Sequence, residues 1–265
     1  MSELSIAQKK YLMIQKKHKR TVTCSRFLIF VLFTFLWEGA AYLGLIDSFI
    51  FSSPSKIVTC FFQMLAKQNL LKHIGITLFE TIVSFILVIF TALAVTILLW
   101  FNRELSETLE PYLVILNSLP KSALAPLLIV WLGANYRTII VTGMSVAIFG
   151  SILSLYTSFL SVDPEKIKLI YTLGGKKYHV MTKVILPSNI PALFSLMKVN
   201  IGLCLVGVII GEFIAARSGL GYLIIYGSQV FKLDWVIMSI VILCVMAMGL
   251  YGLLGLAEKW YLRRL

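Results

Sequence analysis

The 265-residue chain is predicted to be an all-α membrane protein with six transmembrane helices, and three observations carry that expectation. Hydrophobic residues make up 59% of it and charged residues only 14%, with a mean hydropathy of +0.91. Soluble domains run near half apolar and a quarter charged. Six apolar runs lie at roughly 27–46, 74–100, 112–132, 138–160, 191–214 and 235–257, each about the 20 residues that cross hydrocarbon as a helix. The short alternating segments of a membrane barrel are absent from the sequence.

Lysine and arginine set the expected orientation. With the N-terminus inside, the cytoplasmic side collects Lys9, Lys10, Lys16, Lys17, Lys19, Arg20, Arg26, Arg103, Lys259, Arg263 and Arg264. It also takes Lys166, Lys168, Lys176, Lys177 and Lys183. The outside keeps Lys56, Lys67, Lys72, Arg137, Arg217 and Lys232. Both termini are therefore expected in the cytoplasm, and the net charge of +12 follows the membrane rule. No nucleic-acid module accompanies that charge, so no nucleic-acid partner is expected.

Residues 1–26 are polar and basic, which suits a cytoplasmic arm ahead of a membrane domain over 27–265. The first run is too long for a removed signal peptide and lacks a small-residue cleavage site. It carries Glu38, expected to be paired structurally. Residues 47–73 form an external segment with an amphipathic helix opening at Pro54. Glu80 sits about two turns into the second span. The acidic stretch 101–111 reads as a solvated turn. Pro120 and Pro126 should bend the third span, since each removes a backbone donor. Gly143, Ser145, Gly150 and Ser151 in the fourth span suit close helix packing, with a pathway lining as the second reading. The fifth span carries Lys198, Asn200 and Glu212, and 218–226 reads as a re-entrant or surface turn.

The longest polar interruption in the C-terminal two thirds is Asp163 to Pro191, with a loop proper over 163–187. Asp163 is a good N-cap and Pro164 suits the first helical position. Ile167, Ile170, Tyr171, Tyr178, Met181 and Ile185 follow at helical spacing, with the five lysines between them. Gly174-Gly175 breaks the run, and Pro187 and Pro191 end it. Two short amphipathic basic helices with a glycine bend either rest on anionic headgroups or dock a partner.

The chemistry that is missing narrows the function. Gly174-Gly175-Lys176-Lys177 fails as a phosphate loop, because G-x-x-x-x-G-K-[ST] needs Gly at Ile170 and Ser or Thr at Lys177. His18, His73 and His179 fall outside the spans or at their edges, which leaves an intramembrane serine hydrolase without a base. Cys24, Cys60, Cys204 and Cys244 share no spacing, so neither a disulfide framework nor a metal site is expected, and no cofactor.

The residue order adds a resemblance. Gly174, nine residues and Val184-Ile185-Leu186-Pro187 resemble the "EAA…G…I-x-L-P" cytoplasmic loop of ABC importer permeases. LPKSALAPLLIVWLG at 119–133 and EFIAARSGLGYLI at 212–224 resemble the nitrate/sulfonate/taurine subclass. Two departures stand out. The family's Glu-Ala-Ala is Lys168-Leu169-Ile170, and Glu80 lies where the family often has a basic residue. The resemblance implies a type I ABC importer permease-like fold in the cell membrane of a bacterium, multi-pass, and a permease without catalytic residues. It implies cytoplasmic ABC ATPase subunits, an extracytoplasmic solute-binding protein and a second permease copy as partners, besides membrane lipid. The ATPase-coupling residues implied are Lys168, Leu173, Gly174, Gly175, Lys176, Lys177, Val184, Leu186 and Pro187. The pathway candidates are Lys198, Asn200, Lys121 and Ser145. The expected cargo is a small, anionic, nitrate-, sulfonate- or taurine-like solute.

A self-contained secondary transporter is the alternative. It would need an internal repeat and midplane acids, whereas Glu38, Glu80 and Glu212 lie near the outer ends of their runs and no repeat is evident. A membrane enzyme lacks a catalytic constellation.

Overall fold

The computed structural model describes residues 6–67 and 69–263, and they are almost entirely helical. Helix α1 (Ile6–Tyr42) is followed by α2 (Pro54–Lys67), α3 (Leu70–Phe101), α4 (Arg103–Ser118), α5 (Lys121–Leu132) and α6 (Tyr136–Leu160). Short helices α7 (Pro164–Thr172) and α8 (Lys177–Val180) come next, then a π-turn (Met181–Ile185) and a single turn, α9 (Leu186–Ser188). Helices α10 (Ile190–Ala215), α11 (Leu220–Gln229) and α12 (Leu233–Leu262) complete the chain.

Five helices are long and apolar enough to cross a membrane: α1 from Tyr11 on, α3, α6, α10 and α12. A sixth span exists if α4 and α5 count as one, but they meet at 97°. The expected bend thus falls at Pro120, just after Leu119 turns extended, while Pro126 is carried inside α5 without a second break. Pro120 locks its own φ and biases its predecessor away from helix, so the chain turns there. Lys121 completes the corner. Its ammonium donates to the carbonyl of Leu116 at 3.0 Å and to that of Asn117, two acceptors left over at the end of α4.

Two sequence expectations are corrected. The acidic stretch 101–111 is no turn: only Asn102 interrupts the helices, its side chain accepting from the Leu105 N–H at 3.1 Å to start α4. Within 218–226, residues from Leu220 on form most of helix α11 rather than a turn, and only Ser218 and Gly219 precede it. The basic stretch up to Arg26 and the first apolar run lie on one helix, α1 (Ile6–Tyr42). Glu38 is paired as expected: it accepts from the Ser55 backbone N–H at 3.0 Å and hydroxyl at 2.7 Å, at the start of α2.

The centre of the bundle is α3, α6 and α10, which share the most extensive contacts. Phe85, Val88, Ala147, Ile201 and Cys204 form its middle, and Leu155, Phe159, Val180, Met181 and Ile185 its loop end. Hydrophobicity does not draw helices together within lipid, so close fit must do so. A Cβ on Gly207 of α10 would stand 2.8 Å from the Gly143 Cα and 2.8 Å from Val146 Cγ2, both on α6. A Cβ on Gly252 of α12 would meet nothing within 4 Å. At the opposite end Leu70, Leu220, Leu223 and Met238 bury Ile57, Cys60 and Met64 of α2.

Gly207→Val should therefore destabilise the purified protein by about 1–3 kcal/mol, the usual cost of overpacking. Gly252→Val should leave the melting temperature in detergent near that of the parent, as monitored by fluorescence-detected thermal unfolding.

Candidate functional site

The polar loop between α6 and α10 has two unlike faces. Asp163 caps α7, its Oδ1 accepting from the Glu165 N–H at 2.9 Å. The helix closes at Thr172, and Gly174 turns the chain at φ +79°. A side chain is strained there, whereas glycine is not. The Gly175 N–H then donates to the Ile170 carbonyl at 2.8 Å, folding the bend back on α7. Helix α8 opens with the Lys176 N–H donating to His179 Nδ1 at 3.0 Å.

The inner face grips the bundle. Val180, Met181 and Ile185 are buried, and Ile167 and Ile170 pack with them against Trp100 and Phe101 of α3. Lys177 donates to the carbonyl of Phe101 at 3.1 Å, an acceptor left over at the end of α3. Val184 is buried and Leu186 half-buried, so the V-I-L-P stretch supports the loop from behind, with Pro187 exposed. The outer face is apolar yet open: Leu173 is 75% exposed, Tyr178 66% and Leu169 58%. Lys166, Lys168, Lys176 and Lys177 surround them, all exposed. Large apolar side chains presented among charges are a mark of protein contact. Leu169 was not among the expected coupling residues, and Tyr178, expected on the apolar face with Ile167 and Met181, is turned outward instead. Leu169 lies on the side of α7 opposite the half-buried Ile167 and Ile170, and Tyr178 lies on α8 away from the buried Val180.

The four pathway candidates do not converge. Lys121 is turned to the end of α4, as described. Lys198 is turned to α12, where its ammonium pairs with the Glu258 carboxylate and lies 5.9 Å from the Tyr251 ring centroid. Ser145 donates to the Thr142 carbonyl at 2.8 Å within its own helix. Asn200 is buried. A separate groove of about 320 Å³ opens between α6 and α10, with Ser154, Ser158, Ser195 and Val199 among its lining. Ser154 and Ser158 stand one turn apart on α6 and Ser195 stands on α10, three hydroxyl-bearing residues in a mostly apolar groove.

At the far end Glu212 organises the entry to α11. Its Oε2 accepts from the Gly221 N–H at 2.6 Å and its Oε1 from Thr77 Oγ1 at 2.7 Å. The Thr77 oxygen accepts in turn from the Leu220 N–H at 2.8 Å, and His73 Nδ1 accepts from the Gly219 N–H at 3.0 Å. So N–H groups that α11 cannot satisfy within itself meet acceptors from α3 and α10. Gly219 is at φ +123°, and a Cβ on it would run into the Glu212 carboxylate. The E-F-I-A-A-R-S-G-L-G-Y stretch is thus a single built unit: the acid and the two glycines that let backbone reach it. Among the described residues no group of three or more metal-ligating side chains forms a metal site.

Comparison with known proteins accounts for this geometry. The model of the family described as "Binding-protein-dependent transport system inner membrane component" matches residues 88–258. The chain is similar to the "Riboflavin transport system permease protein RibX" of Chloroflexus aurantiacus, 28% identical over 227 residues, covering 86% of this chain and 85% of that protein. It is similar too to the "Putative aliphatic sulfonates transport permease protein SsuC" of Bacillus subtilis, 25% identical over 228 residues, covering 86% of this chain and 83% of that one. The fold resembles that in the inward-facing MetNI methionine ABC transporter, with a TM-score of 0.61 at 20% identity, over 74% of this chain and 95% of that chain. A family match running from the middle of α3 to near the end of α12, on a fold of the type I importer kind, leads to one conclusion: this chain belongs to the binding-protein-dependent transport system inner membrane components, the permease subunits of ABC importers.

Proposed function

We propose that this permease receives the power stroke of its ATPase on the open apolar rim of the α7–α8 loop, with Leu173, Leu169 and Tyr178 as the inserted side chains. The single observation that carries this is the two-faced build of the loop: one face is locked into α3, α6 and α10, and the other leaves Leu173 75% exposed. A rigid element gripped by the bundle transmits displacement, whereas a loose headgroup anchor does not. Lys168, Lys176 and Lys177 rim the contact, which calls for carboxylates on the ATPase surface opposite, a reversal of sign relative to the family's acidic loop. ATP hydrolysis belongs to that separate subunit, and membership of this family leaves no place for a self-contained secondary transporter.

Two copies of the chain form the working unit in this proposal, because one loop meets one ATPase. The loop faces the cytoplasm together with both termini, as the distribution of Lys and Arg supports. Solute then crosses along the α6–α10 face, past the hydroxyls of Ser154, Ser158 and Ser195, with Ser145 and Asn200 on the same two helices. Lys121 and Lys198 act there by holding the α4–α5 corner and the end of α12. The proposed cargo is a small sulfonate-like anion. The similarity to an aliphatic sulfonates permease supports it, and the similarity to a riboflavin permease makes a heteroaromatic solute the reading to test against.

Three measurements test these statements. Leu173→Ser and Gly174→Val should insert and assemble normally, yet lower substrate-stimulated ATP hydrolysis by about tenfold or more, the loss of 1.4 kcal/mol or more expected of an interface anchor. Parental coupling in both variants would reduce the loop to a lipid contact.

For orientation, single cysteines at Lys67 and Leu173 in a background without Cys24 and Cys244 should label differently. Lys67→Cys should react with an impermeant maleimide on intact cells, and Leu173→Cys only after permeabilisation. Native Cys60 will not interfere: burial first, and then the nearby Asp234 carboxylate, push its thiol above the ordinary range.

Isothermal titration of the partner binding protein should detect a small alkanesulfonate and no binding of riboflavin. The opposite result would move the cargo to the heteroaromatic class while leaving the coupling site untouched.

A further inference from the structure

Two glutamates meet inside the bundle, Glu212 of α10 at 1% exposure and Glu80 of α3 at 2%. Placing a carboxylate in such surroundings is costly unless donors surround it. The two groups are supplied very differently. Glu212 accepts from Thr77 Oγ1 and from the Gly221 N–H. These donors, one of them in the first turn of the ten-residue helix α11, suit an ionised group, which can only accept. Glu80 has nothing comparable. Its Oε2 is buried without a hydrogen-bond partner, and it stands one turn after Thr77, the α3 residue that donates to Glu212, which brings the two buried carboxyls together.

Other sources of compensation are missing nearby. Neither glutamate has an ion-pair partner among the described residues. His73 is the titratable group closest along α3, one turn before Thr77, and its Nδ1 is turned to the Gly219 backbone. A hydrogen bond between two carboxyl groups needs a hydrogen on one of them, since ionised carboxylates have none to give. Two charges so close in a low-dielectric site would repel strongly.

We propose that Glu80 carries a proton and donates it to Glu212, and that this acid–carboxylate bond is a structural part of the seat that holds α11 on the bundle. Glu80 is then a positioning residue that acts through Glu212. Glu212 grips the start of α11, Thr77 relays a second grip from Leu220, and Leu220 and Leu223 carry the core that buries α2. The proton supplies a second donor from α3 beside the Thr77 hydroxyl. It also leaves one negative charge on the pair, facing the N–H end of α11.

The experiment uses the purified permease with its ATPase in lipid, and infrared difference spectroscopy. A protonated carboxyl shows a C=O stretch separate from carboxylate bands and shifted by deuterium. The parent should show that band at neutral pH, and Glu80→Gln should lose it. Glu80→Gln keeps a neutral donor of the same shape and should retain uptake within about twofold, whereas Glu80→Ala should lose about tenfold, the 1.4 kcal/mol of one well-made buried bond. Absence of the band in the parent, or its persistence in Glu80→Gln, overturns the proposal. So does equal loss of uptake in Gln and Ala variants at matched expression. The spectroscopic arm is independent of what the protein transports.

Discussion

Hydrocarbon offers no hydrogen bonds, and this deficit governs how the polar parts of the chain are arranged. Several of the places where the backbone leaves the helical ladder are closed by side chains. Lys121 takes the carbonyls stranded by Pro120. Lys177 takes the last carbonyl of α3. Glu212, Thr77 and His73 take the first N–H groups of α11. The charged residues that look costly in a sequence of such hydropathy are the ones that let a helical bundle break, turn and start again. Lys198 and Glu258 solve the same problem for each other, pairing across α10 and α12.

Because these ties fall at the ends and breaks of helices, the middle of the bundle depends mainly on close fit. There α6 and α10 approach until Gly207 touches Gly143, and Ser84 of α3 donates to the Ile140 carbonyl at 3.0 Å on the same contact. Contact this close makes α3, α6 and α10 a single stiff body. Helix α1, by contrast, keeps most of its apolar surface open. A stiff centre with a loop clamped to one end suits a subunit that must turn displacement at an ATPase into movement of a solute path.

The clamped loop joins packing to function. Its buried residues follow the bundle's rules, and its exposed ones break the rules for a surface, since Leu173 gains nothing by facing water. The two demands meet at Gly174, whose positive φ lets α7 and α8 lie on one support while presenting Leu173 between them. Replacement of the family's acidic loop residues by Lys168 and its neighbours alters the charge of the rim without disturbing that support, which is built from Ile167, Ile170, Val180 and Ile185.

Much of this was legible in the residues alone. Helix length against bilayer thickness located the spans, the bend near Pro120 followed from a missing donor, and the glycine break and capped start of the loop followed from local chemistry. These depend on neighbours in sequence, where physical rules act at short range. What tertiary structure decided was partnership. Whether Lys198 was a free cation or the counterion of Glu258 depended on a residue 60 positions away. That Glu80 and Glu212 would meet, and that Gly219 would be needed to let Glu212 reach a helix start, depended on how α3 and α10 cross. A buried charge is stable only through its partner, and a partner supplied by another helix cannot be read from the helix that carries the charge.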